Sequence, residues 1–155
     1  MKDDKFNVNQ KIIHNVIDVK MPALPKRRIT KWIKNIASLY QKAVGELSFI
    51  YCTDEVILKV NREYLSHNYY TDIITFDYSK SRYISGDMFI SMDTVRSNAK
   101  KFTVPFENEL YRVMIHGVLH LCGVDDTTED LRKIMVQSED YALSLLLNTG
   151  LEHEI

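Results

Sequence analysis

Ile115-His116-Gly117-Val118-Leu119-His120-Leu121-Cys122-Gly123-Val124-Asp125-Asp126 reads as the closing turns of a helix that folds back on itself. Upstream, Leu110, Val113, Met114, Gly117, Val118 and Leu121 recur at helical spacing and form one apolar stripe, with Pro105 at its start. Gly123 stops the helix, because glycine takes the left-handed backbone that reverses the chain. His116 and His120 are four residues apart, so both imidazoles leave one face a turn apart. Asp126, three residues past the glycine, is placed to return towards them.

That spacing lets two ring nitrogens reach one zinc at about 2.0–2.1 Å. A carboxylate makes three protein ligands and leaves a fourth place for water, the arrangement of a catalytic site. A helical histidine pair alone is more often structural or surface. The glycine and the carboxylate at turn-compatible offsets shift the balance towards a metal held by His116, His120 and Asp126. The pattern H-x-x-x-H-x-x-G-x-x-D keeps the skeleton of the extended zinc-protease signature, with Asp126 where that signature has a third histidine. Peptidase chemistry fits less well, since Gly117 stands where that class carries its glutamate base. Water activation then falls to the metal, which lowers the pKa of bound water towards ~7, or to an acid from elsewhere. Asp87, in Ser85-Gly86-Asp87-Met88 on an expected strand, is the candidate acid. Asp125 reads as an ordinary turn acid. Two histidines and a carboxylate with open positions also suit iron(II).

Outward from this segment the chain mixes strands and helices without regular alternation. Residues 11–19 are β-branched and read as a first strand. After Pro22 and Pro25 a helix opens at about Thr30, with Ile29, Ile33, Ile36 and Tyr40 on one face, and Gly45 is expected to end it. Glu46 to Cys52 alternates as a strand, and Thr53-Asp54-Glu55 starts a helix over about 54–65 that points Val56, Val60 and Tyr64 one way. Asp72–Tyr78 and Ile84–Met92 are close enough for an antiparallel pair. Asp93–Phe102 looks helical, and a last helix runs from about Thr127 to Leu147 with Gly150 after it. The expected fold is α+β: one mixed sheet of about four strands packed with helices, the zinc site at a helix end, and residues 1–155 as a single domain.

Composition sets the outer bounds. The chain is 45% hydrophobic and 26% charged, with no apolar run near the ~20 residues that cross a bilayer. The N-terminal residues show no export signal, and Cys52 and Cys122 lie in no metal-type spacing, so a reducing cytoplasmic setting is expected. A net charge of −1 argues against coating nucleic acid by bulk attraction. Locally, residues 20–34 carry Lys20, Lys26, Arg27, Arg28, Lys31 and Lys34 without an acid, either a solvated helix face or a phosphate-binding patch.

His116-Gly117-Val118-Leu119-His120-Leu121-Cys122-Gly123-Val124-Asp125 resembles the H-G-x-L-H-L-x-G-x-D-H pattern of the YbeY family of bacterial endoribonucleases, departing only at the final histidine, which is Asp126. Thr71-Asp72-Ile73-Ile74-Thr75-Phe76 resembles the family's T-D-V-L-S-F strand, and Gly86-Asp87-Met88-Phe89-Ile90 its G-D-I-x-I strand. The resemblance implies one Zn2+ ion and hydrolysis of single-stranded RNA in 16S rRNA 3′-end maturation and ribosome quality control. It implies the ribosome or small-subunit proteins as partners, and it leaves oligomeric state open. The family's RNA-contacting arginine, in a Y-R-G segment, meets Leu65 after Tyr64 here, so Arg62 one turn earlier is the substitute candidate, with His67 a poorer one. Arg27, Arg28 and Lys31 are candidate backbone contacts, as are the cations of residues 96–112. Two rivals stand beside this reading: a zinc peptidase, and a non-catalytic ribosome-assembly factor whose zinc is closed by a fourth ligand such as Cys122.

Overall fold

A computed structural model describes residues 10–67 and 71–149. Its elements are β1 (Lys11–Val16), α1 (Lys26–Leu39), β2 (Ala43–Cys52), α2 (Asp54–Leu65), β3 (Ile73–Asp77), β4 (Tyr83–Ser91), α3 (Met92–Phe102), α4 (Phe106–Leu121) and α5 (Glu129–Ser144). The last helix then widens into a π turn over Leu145–Thr149. The strands form one mixed sheet in the order β1-β2-β4-β3, with β1, β2 and β4 parallel and β3 antiparallel to β4. This is the α+β arrangement expected from the pattern, antiparallel pair included.

Alternation along the strands assigns the two sheet faces. Leu47, Phe49, Tyr51, Met88 and Ile90 bury into the larger core with α1, α4 and α5. One residue out of phase, Cys52, Ile74, Phe76 and Phe89 meet Ile57 and Val60 of α2 on the other face. α4 is the central helix. Leu110, Val113, Met114, Ile115, Val118, Leu119 and Leu121 are all buried, so it is apolar nearly all round and only its exposed strip can carry polar chemistry. Trp32 of α1 donates its indole N–H to the Ala142 carbonyl at 2.8 Å, which ties α1 to α5.

Several boundaries differ from expectation for local reasons. β1 ends at Val16 rather than near residue 19, and Asp18 beyond it adopts a left-handed φ of 61°. α1 begins four residues earlier than Thr30, with Pro25 in the N-cap position that a missing N–H leaves free. Gly45 does not end that helix. The helix stops at Leu39, Gln41 turns the chain with φ 56°, and Gly45 lies inside β2 where the β2–β4 register slips. An extra residue in one strand is a bulge, a natural place for glycine. Tyr64 leaves the apolar face of α2: it is 68% exposed, while Ile57, Val60 and Asn61 are buried. The expected stop at Gly150 lies outside the described residues. Among those residues no helix is long and apolar enough to cross a membrane.

β3 and β4 approach each other most closely at Gly86. A Cβ there would collide with the Phe76 carbonyl oxygen and press on Leu121 of α4. The backbone cannot swing aside as a flexible side chain does. Gly86→Ala should therefore cost about 2 kcal/mol of stability, read as a lower urea midpoint with unchanged slope. A wild-type midpoint would refute the tight approach.

Candidate metal centre

The end of α4 is built as a glycine-terminated reversal. Val124 N–H donates to the Leu119 carbonyl and Gly123 N–H to that of His120, both at 3.0 Å, with Gly123 at φ 101°. That pair of bonds is the Schellman cap, and it satisfies carbonyls the helix would leave orphaned. The chain then runs back past its own last turns. Asp125 folds onto its neighbours, accepting from the Asp126 N–H at 2.7 Å and the Thr127 hydroxyl at 3.1 Å. It is a turn acid, as expected. The turn presents Asp126, whose Oδ2 lies 3.4 Å from His116 Nε2.

Both histidines are oriented through Nδ1. His116 Nδ1 is 2.7 Å from Oε2 of Glu139 on α5, and His120 Nδ1 is 3.2 Å from the Val124 carbonyl. Both partners accept, so each Nδ1 carries a hydrogen and each Nε2 is left to face away from that partner. Glu139 is only 6% exposed. Its second oxygen accepts from Arg112 Nη1 at 2.8 Å, while Arg112 Nη2 reaches Asp140 at 2.6 Å.

A neutral His116 would aim its Nε2 lone pair at the Asp126 carboxylate, which is repulsive. The position calls for a positive charge, either a proton or a metal. Burial alone would lower the His116 pKa, but the Glu139 hydrogen bond and the charges of Glu139, Asp126 and Asp72 outweigh it and raise the pKa above the usual histidine value. The donor set therefore fits a cation chemically. It is not closed: the His116 and His120 rings stack at 6.3 Å between centroids, and no three His, Cys, Asp or Glu side chains among the described residues converge closely enough to hold a metal. Next to His116 lies a cavity of about 100 Å³ lined by Asp72, Glu109, Arg112, Val113 and Glu139. Burial raises the carboxyl pKa of both Asp72 and Glu109.

Other residues read from the sequence lie elsewhere. Asp87 does not reach the histidines. It pairs in register with Phe76 and alternates with Met88, whose sulfur packs against Gly117 of α4, so it faces the α2 side of the sheet. There it accepts a hydrogen bond from the Tyr78 hydroxyl, whose pKa is raised first by desolvation and then by the Asp87 charge and that bond. Arg62 is exposed in the last turn of α2, on that same side. Arg27 and Lys31 are exposed on α1, whereas Arg28 is half-buried and donates to the Leu146 carbonyl at 2.8 Å, joining α1 to the π turn.

The sequence reading missed Glu139, and it counted Arg112 only among the backbone-contacting cations of residues 96–112. A signal existed, since Glu139 falls on the same helical stripe as Met135, Ala142 and Leu143, and an acid on an apolar stripe needs a partner. Cys122 faces the core, with burial pushing its thiol up to about 11, and Cys52 is pushed up to about 12 by burial and then by Asp54 and Asp93. Neither thiol should react with a disulfide reagent at pH 8 until urea unfolds the protein. Rapid labelling of Cys122 in the folded protein would overturn its assignment to the core.

The family model described as Endoribonuclease YbeY matches residues 13–146. A protein named endoribonuclease YbeY from Phocaeicola vulgatus is 56% identical over 128 residues, covering 83% of this chain and 93% of that protein. One of the same name from Bacteroides fragilis is 50% identical over 134 residues, covering 86% and 96%. In fold, a solution structure of a Thermotoga maritima protein superposes with a TM-score of 0.64 at 22% identity, covering 90% of this chain and 92% of that one.

Proposed function

The chain belongs to the YbeY endoribonuclease family, and from that premise we propose that it cleaves single-stranded RNA at a zinc ion held by His116, His120 and Asp126. It is an RNA-cleaving hydrolase that acts in ribosomal RNA processing. The finer reading is maturation of the 16S rRNA 3′ end and ribosome quality control, in the cytoplasm, by a single domain spanning the chain and working beside small-subunit proteins. The observation that carries the site is His116, held at Nδ1 by Glu139 and facing Asp126 with Nε2.

When bound, zinc supplies Lewis acidity at the phosphoryl group and lets water ionise near neutral pH. The chain's own residues do the positioning. Glu139 holds His116 in the tautomer that offers Nε2, and Arg112 donates to the other oxygen of Glu139 and fixes it in place. The Val124 carbonyl does the same for His120. Asp126 brings the negative charge that offsets a divalent cation. Exposed Arg27 and Lys31 on α1, with Lys100 and Lys101 on α3, supply cations for an RNA backbone.

The peptidase alternative loses ground on position as well as identity. A Cβ at residue 117 would sit 2.8 Å from Met88 Sδ and 2.9 Å from Ile73 Cδ1. A glutamate there would point into the sheet rather than at a water beside the histidines. A closed structural zinc completed by Cys122 is disfavoured because that thiol is buried on the core side.

His120→Ala should lose both stoichiometric zinc, by elemental analysis, and cleavage of single-stranded RNA, with retained helicity. Full cleavage by the metal-free variant would end the metalloenzyme reading. Glu139→Gln keeps the shape but weakens the acceptor, so zinc affinity should fall by about 10–100-fold, measured by competition with a chelating dye. Unaltered affinity would show that Glu139 plays no part in orienting His116.

A further inference from the structure

α3 ends at Phe102, and the chain passes through Thr103, at φ 56°, and Val104 before α4 begins. The turn leaves two apolar side chains in water, Phe102 at 55% and Val104 at 38% exposure. They form one wall of a groove of about 530 Å³, within the roughly 300–1,000 Å³ range of small-ligand clefts. Leu143, Leu147, Glu109 and Arg112 line it too. Glu109 and Arg112 also line the small cavity against His116, so the groove adjoins the candidate metal centre through these two side chains.

Resting on the endoribonuclease reading, we propose that this groove seats one base of the RNA strand that flanks the cleaved bond, with Phe102 as its stacking platform. The chemistry of the walls selects a base over a phosphate. Glu109 is 5% exposed and acidic, and Asp140 also lines the groove, so an anion would be repelled. Arg112 is already engaged by Glu139 and Asp140 through both terminal nitrogens and has little charge to offer a phosphate. A flat, uncharged ring with N–H donors along its edge suits both features: apolar faces for Phe102 and Leu143, donors for the acid. The ribose-phosphate chain is left to the cations at the rim, where Lys101 Nζ lies 5.6 Å above the Phe102 ring. Single-stranded RNA offers unstacked bases, and aromatic stacking tolerates any base because every base has a π face.

The test uses the zinc-loaded full-length protein and a short 2′-O-methyl single strand, with binding followed by fluorescence anisotropy. Phe102→Ala should weaken binding roughly tenfold, and Phe102→Trp should restore it. Tyr141→Ala removes an equally exposed aromatic that does not line the groove, and it should bind as wild type. A strand with one abasic nucleotide should lose the same factor on wild type at a single register, and lose nothing further on Phe102→Ala. Equal affinity of Phe102→Ala and wild type, or additive losses at every register, would overturn the base seat. So would a Phe102→Ala phenotype confined to self-association in light scattering. Cleavage of ordinary single-stranded RNA is scored separately. Its absence in wild type refutes the endoribonuclease reading, whereas cleavage with Phe102→Ala indistinguishable from wild type refutes only the groove.

Discussion

The carboxylate of Glu139 is the constraint on which the rest of this molecule turns. It is buried between α4 and α5, and a charge in that position is costly unless each oxygen is satisfied. Arg112 takes one oxygen and His116 the other. Both partners lie on α4, one turn apart, so a single side chain of α5 sets the rotation of α4 about its axis. Removing one partner of such a buried pair typically costs about 3–5 kcal/mol, because the other is left uncompensated. The same bonds settle which nitrogen of His116 faces the opening. Stability and site geometry are therefore not separable here.

Much of the fold could be read from local chemistry, and the limits of that reading are instructive. The apolar stripe from Leu110 to Leu121 located α4, and Gly123 located its end, because a left-handed residue after a helical stripe has few other uses. The antiparallel β3–β4 pair followed from short separation and alternation. Gly45 misled for a physical reason: glycine serves helix ends and bulges alike, and nothing local distinguishes the two. The parallel pairing of β1 with β2 and of β2 with β4 was beyond local reach, since both are crossovers decided by packing against α1 and α2.

The site shows a similar division. Helix periodicity stacks His120 on His116, and one turn brings Asp126 to 3.4 Å from His116, both neighbourhoods legible in the spacing. Asp87 was a plausible acid by composition and sits in a recognisable strand, yet strand parity sends it to the other sheet face. A shift of one residue along β4 would have reversed that outcome. Glu139 and Arg112 meet across 27 positions of sequence, a separation at which no periodic signal operates. What sequence does carry is weaker but usable: an acid on an apolar stripe states that a partner exists without saying where.

Gly117 joins these strands of reasoning. Its place in the pattern first counts against peptidase chemistry, because glycine moves no proton. The structure supplies the cause of the glycine, which is the close packing of α4 on Met88 and Ile73. The two histidines flank a residue that faces the sheet, so the outward strip of the helix runs through Arg112, His116 and His120 and skips 117. The acids that line the adjoining cavity come from outside these turns: Asp72 from just before β3, Glu139 from α5, and Glu109 from the first turn of α4 itself. The folding requirement at one small residue thus leaves the acids beside His116 to the first turn of α4 and to the elements packed around it.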